Sequence, residues 1–354
     1  MKILINGAFL CSPVTGLERF ARQITKGLDE ISKEGEIGIV VPKNAKNVPV
    51  YKKIKVVFYE KDITSFSKWQ QFILPRILKK HKALPLDFGN NCSLLCPGIS
   101  FLYDIYCELY PEDFQTKKEK LVCLNSRLIY RIIAYRAKKI IAPTYFSRGQ
   151  IAKAFRITPD RIAIVHNSWE HFNDIKSDSS IFSDFPVLAQ KPFYFSLGSL
   201  SKRKNIKWII EYAAKNPSAL FAISGSALNS VKVDELSGGI PANVILLGYL
   251  DDGKVKALME KCKAFVLPSY YEGFGFTPLE ALSCGAKIIV ARAASLPEVY
   301  GGAAHYIDPF DTDVDLDKLL EQEVEPPDEV LKKYSYDESV RLVYDLIQEC
   351  IKKS

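Results

Sequence analysis

Histidine is scarce in this chain. Only His81, His166, His171 and His305 occur, none in an HExxH or HxH arrangement, so a metal site built on imidazole is not expected. The eight cysteines, Cys11, Cys92, Cys96, Cys107, Cys123, Cys262, Cys284 and Cys350, form no CxxC pair and have no histidine at ligand spacing. They read as ordinary reduced thiols. No apolar run reaches about eighteen residues, so nothing is long enough to span a bilayer, and no repeat of fixed period occurs. The opening MKILINGAFLCSPVTG reads as a strand leading into a helix rather than a secretory leader. A cytoplasmic location, at most peripheral at the inner face of the membrane, is expected.

What is present points to two hydrophobic cores: 354 residues with 47% apolar and 12% aromatic content exceed one ordinary core. A net charge of +7 is mild for this size and gives no reason to expect nucleic acid. The densest basic stretch is WQQFILPRILKKHK, Trp69 to Lys82. There Trp69, Phe72, Ile73 and Ile77 can share one face, with Arg76, Lys79, Lys80 and Lys82 at its edge. Such a segment either packs one face in a core or rests on an anionic membrane.

Short apolar runs alternate with helical patterns, the mark of a parallel sheet covered on both faces. One series has strands at Lys2 to Asn6, Ile37 to Val41, Lys53 to Tyr59, Lys139 to Ala142 and Ile162 to Val165, with helices near 16–31, 69–82, 124–137 and 145–155. A second runs through Phe193 to Leu197, Ala219 to Ser224, Val244 to Leu247, Ala264 to Pro268, Lys287 to Val290 and His305 to Ile307. The polar stretch Asp174 to Gln190 reads as the linker, giving domains 1–173 and 174–335. The helical pattern over about 336–354 is expected to pack back on the first.

Three loops carry candidate chemistry. SYYEGFGFTPLEALSCG, Ser269 to Gly285, follows the apolar strand AFVLP. Gly273 and Gly275 let backbone amides approach a ligand, and Thr277, Pro278 and Glu280 fit the N-cap, first turn and N3 of a capping box. A helix starting beside a Gly-rich turn is also an anion site, with Glu272 placed to accept hydrogen bonds from sugar hydroxyls. FSLGSLSKRKN puts Lys202, Arg203 and Lys204 on a short loop before a helix led by Asn205, where they either neutralise a leaving pyrophosphate or are simply solvated. In GAFLCSPVTGLER, Thr15 and Glu18 fit a capping box with Gly16 at the first helical position, and the GxGxxG of a dinucleotide-binding dehydrogenase is missing.

Taken in order, these segments resemble the family-four retaining glycosyltransferases, glycosyl transferases group 1. SPVTGLERFARQI is similar to the family's opening Gly loop, FLYDIYCELYPEDF to its central loop, GSLSKRKN to its phosphate loop, and the stretch from Gly248 to Asp311 to its most diagnostic region, with Glu272 and Glu280 separated by seven residues. The resemblance implies a GT-B α/β fold, two Rossmann-like doubly wound parallel-sheet domains facing a cleft, with acceptor domain first and donor domain second. It implies a nucleotide diphosphate sugar as donor substrate, a glycan or lipid-linked acceptor, and no metal or cofactor. Arg203 and Lys204 would contact the diphosphate, Glu272 the sugar and Glu280 the ribose. Gly273, Phe274 and Gly275 would meet the sugar through their backbone, and Thr277 to Leu279 the distal phosphate. Gly16 would close on the phosphates, Gly248, Tyr249 and Leu250 would line the base, and Glu298 would support the site. Tyr103 stands where the family commonly has His before Asp104, both at the acceptor or sugar contact, and Ser199 where it often has Arg, so Arg203 would supply the second positive charge. A donor-binding scaffold subunit and a nucleotide-sugar epimerase are the competing readings.

Overall fold

The computed structural model describes residues 1–198, 201–225 and 239–352. The chain divides into two compact units, Met1–Asn167 with Ser335–Ser354, and Ser168–Tyr334. The stretch 168–173, assigned to the first domain on sequence, thus belongs to the second. Its side chains explain why: Ser168 Oγ donates to Tyr334 O at 2.9 Å, Trp169 Nε1 to Leu331 O at 2.9 Å, and Phe172 is buried in the second core. The expected linker is also structured. Its helical turns Ile181–Asp184 and Pro186–Gln190 sink Ile181 and Leu188 into that same core.

The first unit is built on a seven-stranded, all-parallel sheet in the order β3-β2-β1-β4-β5-β6-β7. The strands are β1 (Ile3–Asn6), β2 (Ile37–Pro42), β3 (Lys55–Tyr59), β4 (Leu84–Asp87), β5 (Ile99–Phe101), β6 (Lys139–Ala142) and β7 (Ile162–Ile164). The sequence reading missed β4 and β5. LPLD carries a proline and ISF is three residues long, so neither shows a run that stands out before its neighbours pair with it. Helix Gly16–Ile31 opens with the expected box, the Glu18 carboxylate accepting from the Thr15 backbone amide at 3.2 Å. Helix Tyr336–Lys352 packs on it, and an added Cβ on Gly27 would lie 2.4 Å from Val340 Cγ2. Glycine there is a condition of close helix approach.

Helix Lys117–Arg136 starts earlier than the expected 124 because Thr116 and Glu119 form another capping box. The basic stretch from Trp69 changes phase at a π-helical turn, Trp69–Ile73, before the helix Leu74–His81. Trp69, Leu74 and Leu78 therefore point inward, whereas Phe72, expected on the same face as Trp69, is exposed.

At the carboxyl ends of β1 and β4 lies a buried polar cluster. Asp87 Oδ1 accepts from Asn6 Nδ2 at 2.7 Å and Gln70 Nε2 at 3.1 Å, and Asn6 Oδ1 accepts from Trp69 Nε1 at 2.8 Å. Burial pushes the Asp87 carboxyl from 3.8 up to about 6, against the opposing hydrogen bonds from Asn6 and Gln70. The folded state thus holds this proton more tightly than the unfolded chain. The contribution of Asp87 to stability is fully present below pH 3.8 and is lost as pH rises to about 6, a change of about 3 kcal/mol. Asp87→Asn is expected to flatten this slope and raise the melting temperature at neutral pH. A variant that melts lower there would show the ionised carboxylate to be favourable in the fold.

The second unit carries a six-stranded parallel sheet in the order β10-β9-β8-β11-β12-β13. These are β8 (Phe193–Leu197), β9 (Leu220–Ser224), β10 (Val244–Gly248), β11 (Ala264–Leu267), β12 (Ile288–Ala291) and β13 (His305–Ile307). All six coincide closely with the runs expected from sequence. Among the described residues no helix is long and apolar enough to cross a membrane.

Candidate functional site

In the second sheet β8 and β11 are neighbours, and the strand order runs outward from them in opposite directions. A parallel sheet opens a crevice beyond the carboxyl ends of two such strands, because their crossovers leave to opposite sides. The loops that leave β8 and β11 are the two whose residues the sequence singled out.

After β8, Lys202–Lys204 forms a single 3-10 turn and Asn205 takes a left-handed conformation, φ 55°. Asparagine tolerates that region better than other side chains with a Cβ. Its amide then braces two neighbouring segments, Nδ2 donating to Pro268 O at 3.1 Å and Pro309 O at 2.7 Å. Tyr270 N donates to Arg203 O at 3.1 Å, tying the two loops together. Helix Ile206–Lys215 follows and is anchored by Trp208, whose Nε1 donates to Asp311 O at 2.7 Å.

After β11, Glu272 is buried and meets both cations. Arg203 Nη1 lies 2.7 Å from Oε2 and Lys204 Nζ 2.7 Å from Oε1. Arg203 Nη1 also donates to Tyr271 O at 3.2 Å, and Ser295 Oγ to Glu272 O at 2.9 Å. Burial pushes the Glu272 carboxyl up, but Arg203 and Lys204 more than reverse this and hold it at about 2. Two cations and one carboxylate leave the cluster at a net charge of +1. The bland alternative, three solvated surface cations, does not describe Arg203 and Lys204. Lys202 is not among the Glu272 partners.

Gly275 has φ 77°, and a Cβ there would come 2.5 Å from Leu296 Cδ2. Phe274 is buried, its ring edge-on to Tyr334 at 5.1 Å, so its side chain belongs to the core of the second unit. Helix Thr277–Ser283 departs from expectation. Phe276, not Thr277, is its N-cap, no side-chain cap forms, and Glu280 falls one position beyond N3. The Leu279 side chain is fully buried and its amide donates to Phe276 O at 2.9 Å, while Pro278 has no amide proton. The first turn therefore offers fewer donors to an anion than the motif suggested.

Glu280, freed from the capping role, is buried against His171, Nε2 to Oε1 at 2.8 Å. His171 was not among the residues selected from sequence. Its partner lies 109 positions away, and nothing local in SWEHF announces it. Ser295 was likewise not selected, and Asn205 was legible only as the residue leading a helix. Gly248 ends β10 at φ 70°, next to a register shift, and its carbonyl accepts from Ser224 Oγ at 2.9 Å and the Gly225 amide at 2.9 Å. Tyr249 beyond it is 74% exposed and Leu250 half-buried against the second core. Glu298 sits in the short helix Leu296–Tyr300. Ser199 lies outside the described residues.

The remaining candidates are in the first unit. Gly16 is the first residue of its helix. Tyr103 stacks on Phe101 at 5.6 Å and meets Phe20 edge-on at 6.1 Å, its hydroxyl buried without a hydrogen-bond partner among the described residues. Burial holds that phenol well above its ordinary value, so it stays a neutral group. Asp104 Oδ1 accepts from the Tyr106 amide at 3.0 Å and shapes the loop after β5.

Two parallel-sheet α/β units of this kind make up the GT-B fold. The chain has that fold, and its residues 179–334 match the family described as Glycosyl transferases group 1. It is similar to the serotype-specific mannosyltransferase WbdA of Escherichia coli, 28% identical over 204 residues, 55% of this chain and 24% of that protein. The chain thus spans about a quarter of that relative's length. It is also similar to the O-antigen chain mannosyltransferase RfbU of Salmonella typhimurium, 24% identical over 291 residues, 80% of this chain and 75% of that one. Among solved structures, Anabaena HepE in complex with UDP and glucose shares the fold at a TM-score of 0.68 with 16% identity, covering 99% of this chain and 100% of that one.

Proposed function

We propose that this chain is a retaining, metal-independent glycosyltransferase that moves a hexose from a nucleotide diphosphate sugar to a glycan or lipid-linked oligosaccharide in surface polysaccharide synthesis. The observation that carries the reading is the Arg203–Glu272–Lys204 cluster at the β8/β11 switch point, inside the segment that matches group 1. Its net positive charge suits a departing diphosphate. In the transfer, the bond from the anomeric carbon to the diphosphate breaks while the acceptor hydroxyl oxygen bonds to that carbon from the same face, its proton passing to the departing diphosphate. Arg203 and Lys204 then neutralise charge that develops on the leaving group, the task for which fixed cations are most effective. Glu272 holds the two cations in place before donor binds and accepts hydrogen bonds from the sugar. Glu280, oriented by His171, accepts from the donor ribose.

The acceptor class follows the relatives, two of which are described as mannosyltransferases, one of the O-antigen chain. Nucleotide sugar as donor follows HepE, a protein of the same fold held with UDP and glucose. Metal independence rests on the pair of cations, which can take the charge-neutralising part a metal ion would otherwise play. A peripheral place at the cytoplasmic face of a membrane fits a lipid-linked acceptor.

A panel of nucleotide sugars, mannose donors first, tests the reading by thermal stabilisation. A donor at about a hundred times its Kd adds about 2.7 kcal/mol, and that stabilisation is expected to persist in EDTA. The product of the matching donor is expected to keep the anomeric configuration by NMR. Activity that vanishes in EDTA and returns with manganese would contradict metal independence. Donor binding without transfer would favour the scaffold reading, and inversion at another sugar carbon the epimerase.

A further inference from the structure

The outer face of helix Lys117–Arg136 is apolar, exposed and edged with cations. Leu121, Leu124, Leu128 and Tyr135 recur at helical spacing in one stripe, and they are 68%, 63%, 50% and 57% exposed. Val122 beside them is exposed as well. The opposite side of the helix buries Cys123, Ile129, Tyr130 and Ile133 in a core that includes Leu102, Ile105 and Cys107. The helix is therefore already docked through its inner face, and the stripe is a second apolar surface. Isolated exposed leucines are ordinary, but a contiguous stripe of them marks an interaction site.

Charge selects the occupant. From Lys117 to Arg136 there are six basic residues and one acid, Glu119, a net +5. Glu119 is committed to the capping box with Thr116. Glu108 pairs with Arg127 at 2.9 Å and Arg131 at 3.3 Å, so the cations left at the exposed margin are Lys117, Lys118, Lys120 and Arg136. A second copy of this face would oppose like charge to like charge, which disfavours a symmetric dimer through it. An anionic lipid surface matches both features, because leucines enter the acyl boundary while lysines reach the phosphates.

From these observations we infer that the Leu121–Leu124–Leu128 stripe, with Lys117, Lys118 and Lys120 beside it, docks the protein on an anionic membrane surface. The basic stretch Trp69–Lys82, the segment the sequence suggested for this role, offers less, since Trp69, Leu74 and Leu78 are buried. The inner face of the docking helix packs on Leu102 and Ile105, the residues on either side of Tyr103 and Asp104. Docking would thus hold the loop expected to meet the acceptor close to the lipid. The inference stands on the stripe and its charges and does not depend on which sugar, if any, is transferred.

Co-sedimentation of the full chain with vesicles tests it. Binding is expected to vesicles of phosphatidylglycerol with phosphatidylcholine, not to phosphatidylcholine alone, and to weaken with salt as screening shortens the reach of the lysines. Lys117→Gln with Lys118→Gln and Lys120→Gln is expected to weaken binding by roughly a hundredfold. Leu121→Glu with Leu124→Glu and Leu128→Glu is expected to abolish it, with the circular dichroism spectrum and melting temperature unchanged because all three side chains are exposed. Failure to bind phosphatidylglycerol vesicles, or equal binding by the leucine variant, overturns the inference. So does a leucine variant that changes from dimer to monomer by sedimentation velocity, since the stripe would then be a protein interface.

Discussion

Replacing Lys204 by alanine is expected to slow sugar transfer by roughly a hundred- to a thousandfold, the usual effect of removing one fixed donor to a developing negative charge. Arg203 remains, but Lys204 Nζ is the cation that holds Glu272 Oε1, so the variant loses charge at the leaving group and half the clamp on the carboxylate. The fall belongs in kcat more than in KM if the diphosphate needs Lys204 chiefly as it departs. Steady-state kinetics on the matching nucleotide sugar separate the two. Turnover close to wild type in Lys204→Ala would remove the proposed mechanism, whatever the donor proves to be.

Glu272→Gln carries the second large effect, and it divides stability from binding. In the wild type the folded carboxyl lies at about 2, below its ordinary 4.5, so its contribution is present above pH 4.5 and is lost as pH falls to about 2. The shift corresponds to about 3 kcal/mol, consistent with a buried carboxylate whose partners stay nearby. Glu272→Gln is expected to lack this acid limb in urea unfolding and to be less stable by a similar amount at neutral pH. Donor diphosphate should stabilise the variant at least as much as the wild type, because Arg203 and Lys204 are released to meet it. Transfer should nevertheless fall by roughly ten- to a hundredfold, as the sugar loses a charged hydrogen-bond acceptor. An unchanged acid limb would show that Glu272 is not the ionised partner of the two cations.

The parts legible in sequence were those carried by local pattern. The six strands of the second sheet are short apolar runs whose period and flanking turns are written in order. Thr15 with Glu18 gave the first helix start. Where pattern misled, long-range packing is the reason. Thr277 and Glu280 have capping-box spacing, yet the helix begins so that Phe276 caps it, and Glu280 turns instead to His171. Phe72 and Trp69 share a face on an ideal helix but not across the π-helical turn at Trp69–Ile73. LPLD became a strand only because β1 and β5 flank it.

Sequence by itself determined that two parallel-sheet units form, because alternation of apolar runs and helical patterns is a local property. It also determined which loops hold the candidate chemistry, since Arg203, Lys204 and Glu272 follow recognisable strands. Only the tertiary structure decided that these three side chains meet. Adjacency of β8 and β11, strands about seventy residues apart, is set by strand order in the sheet, and a one-dimensional pattern does not encode which strands pair. The same holds for the outer stripe of helix Lys117–Arg136, whose exposure depends on which of two apolar faces the rest of the unit covers.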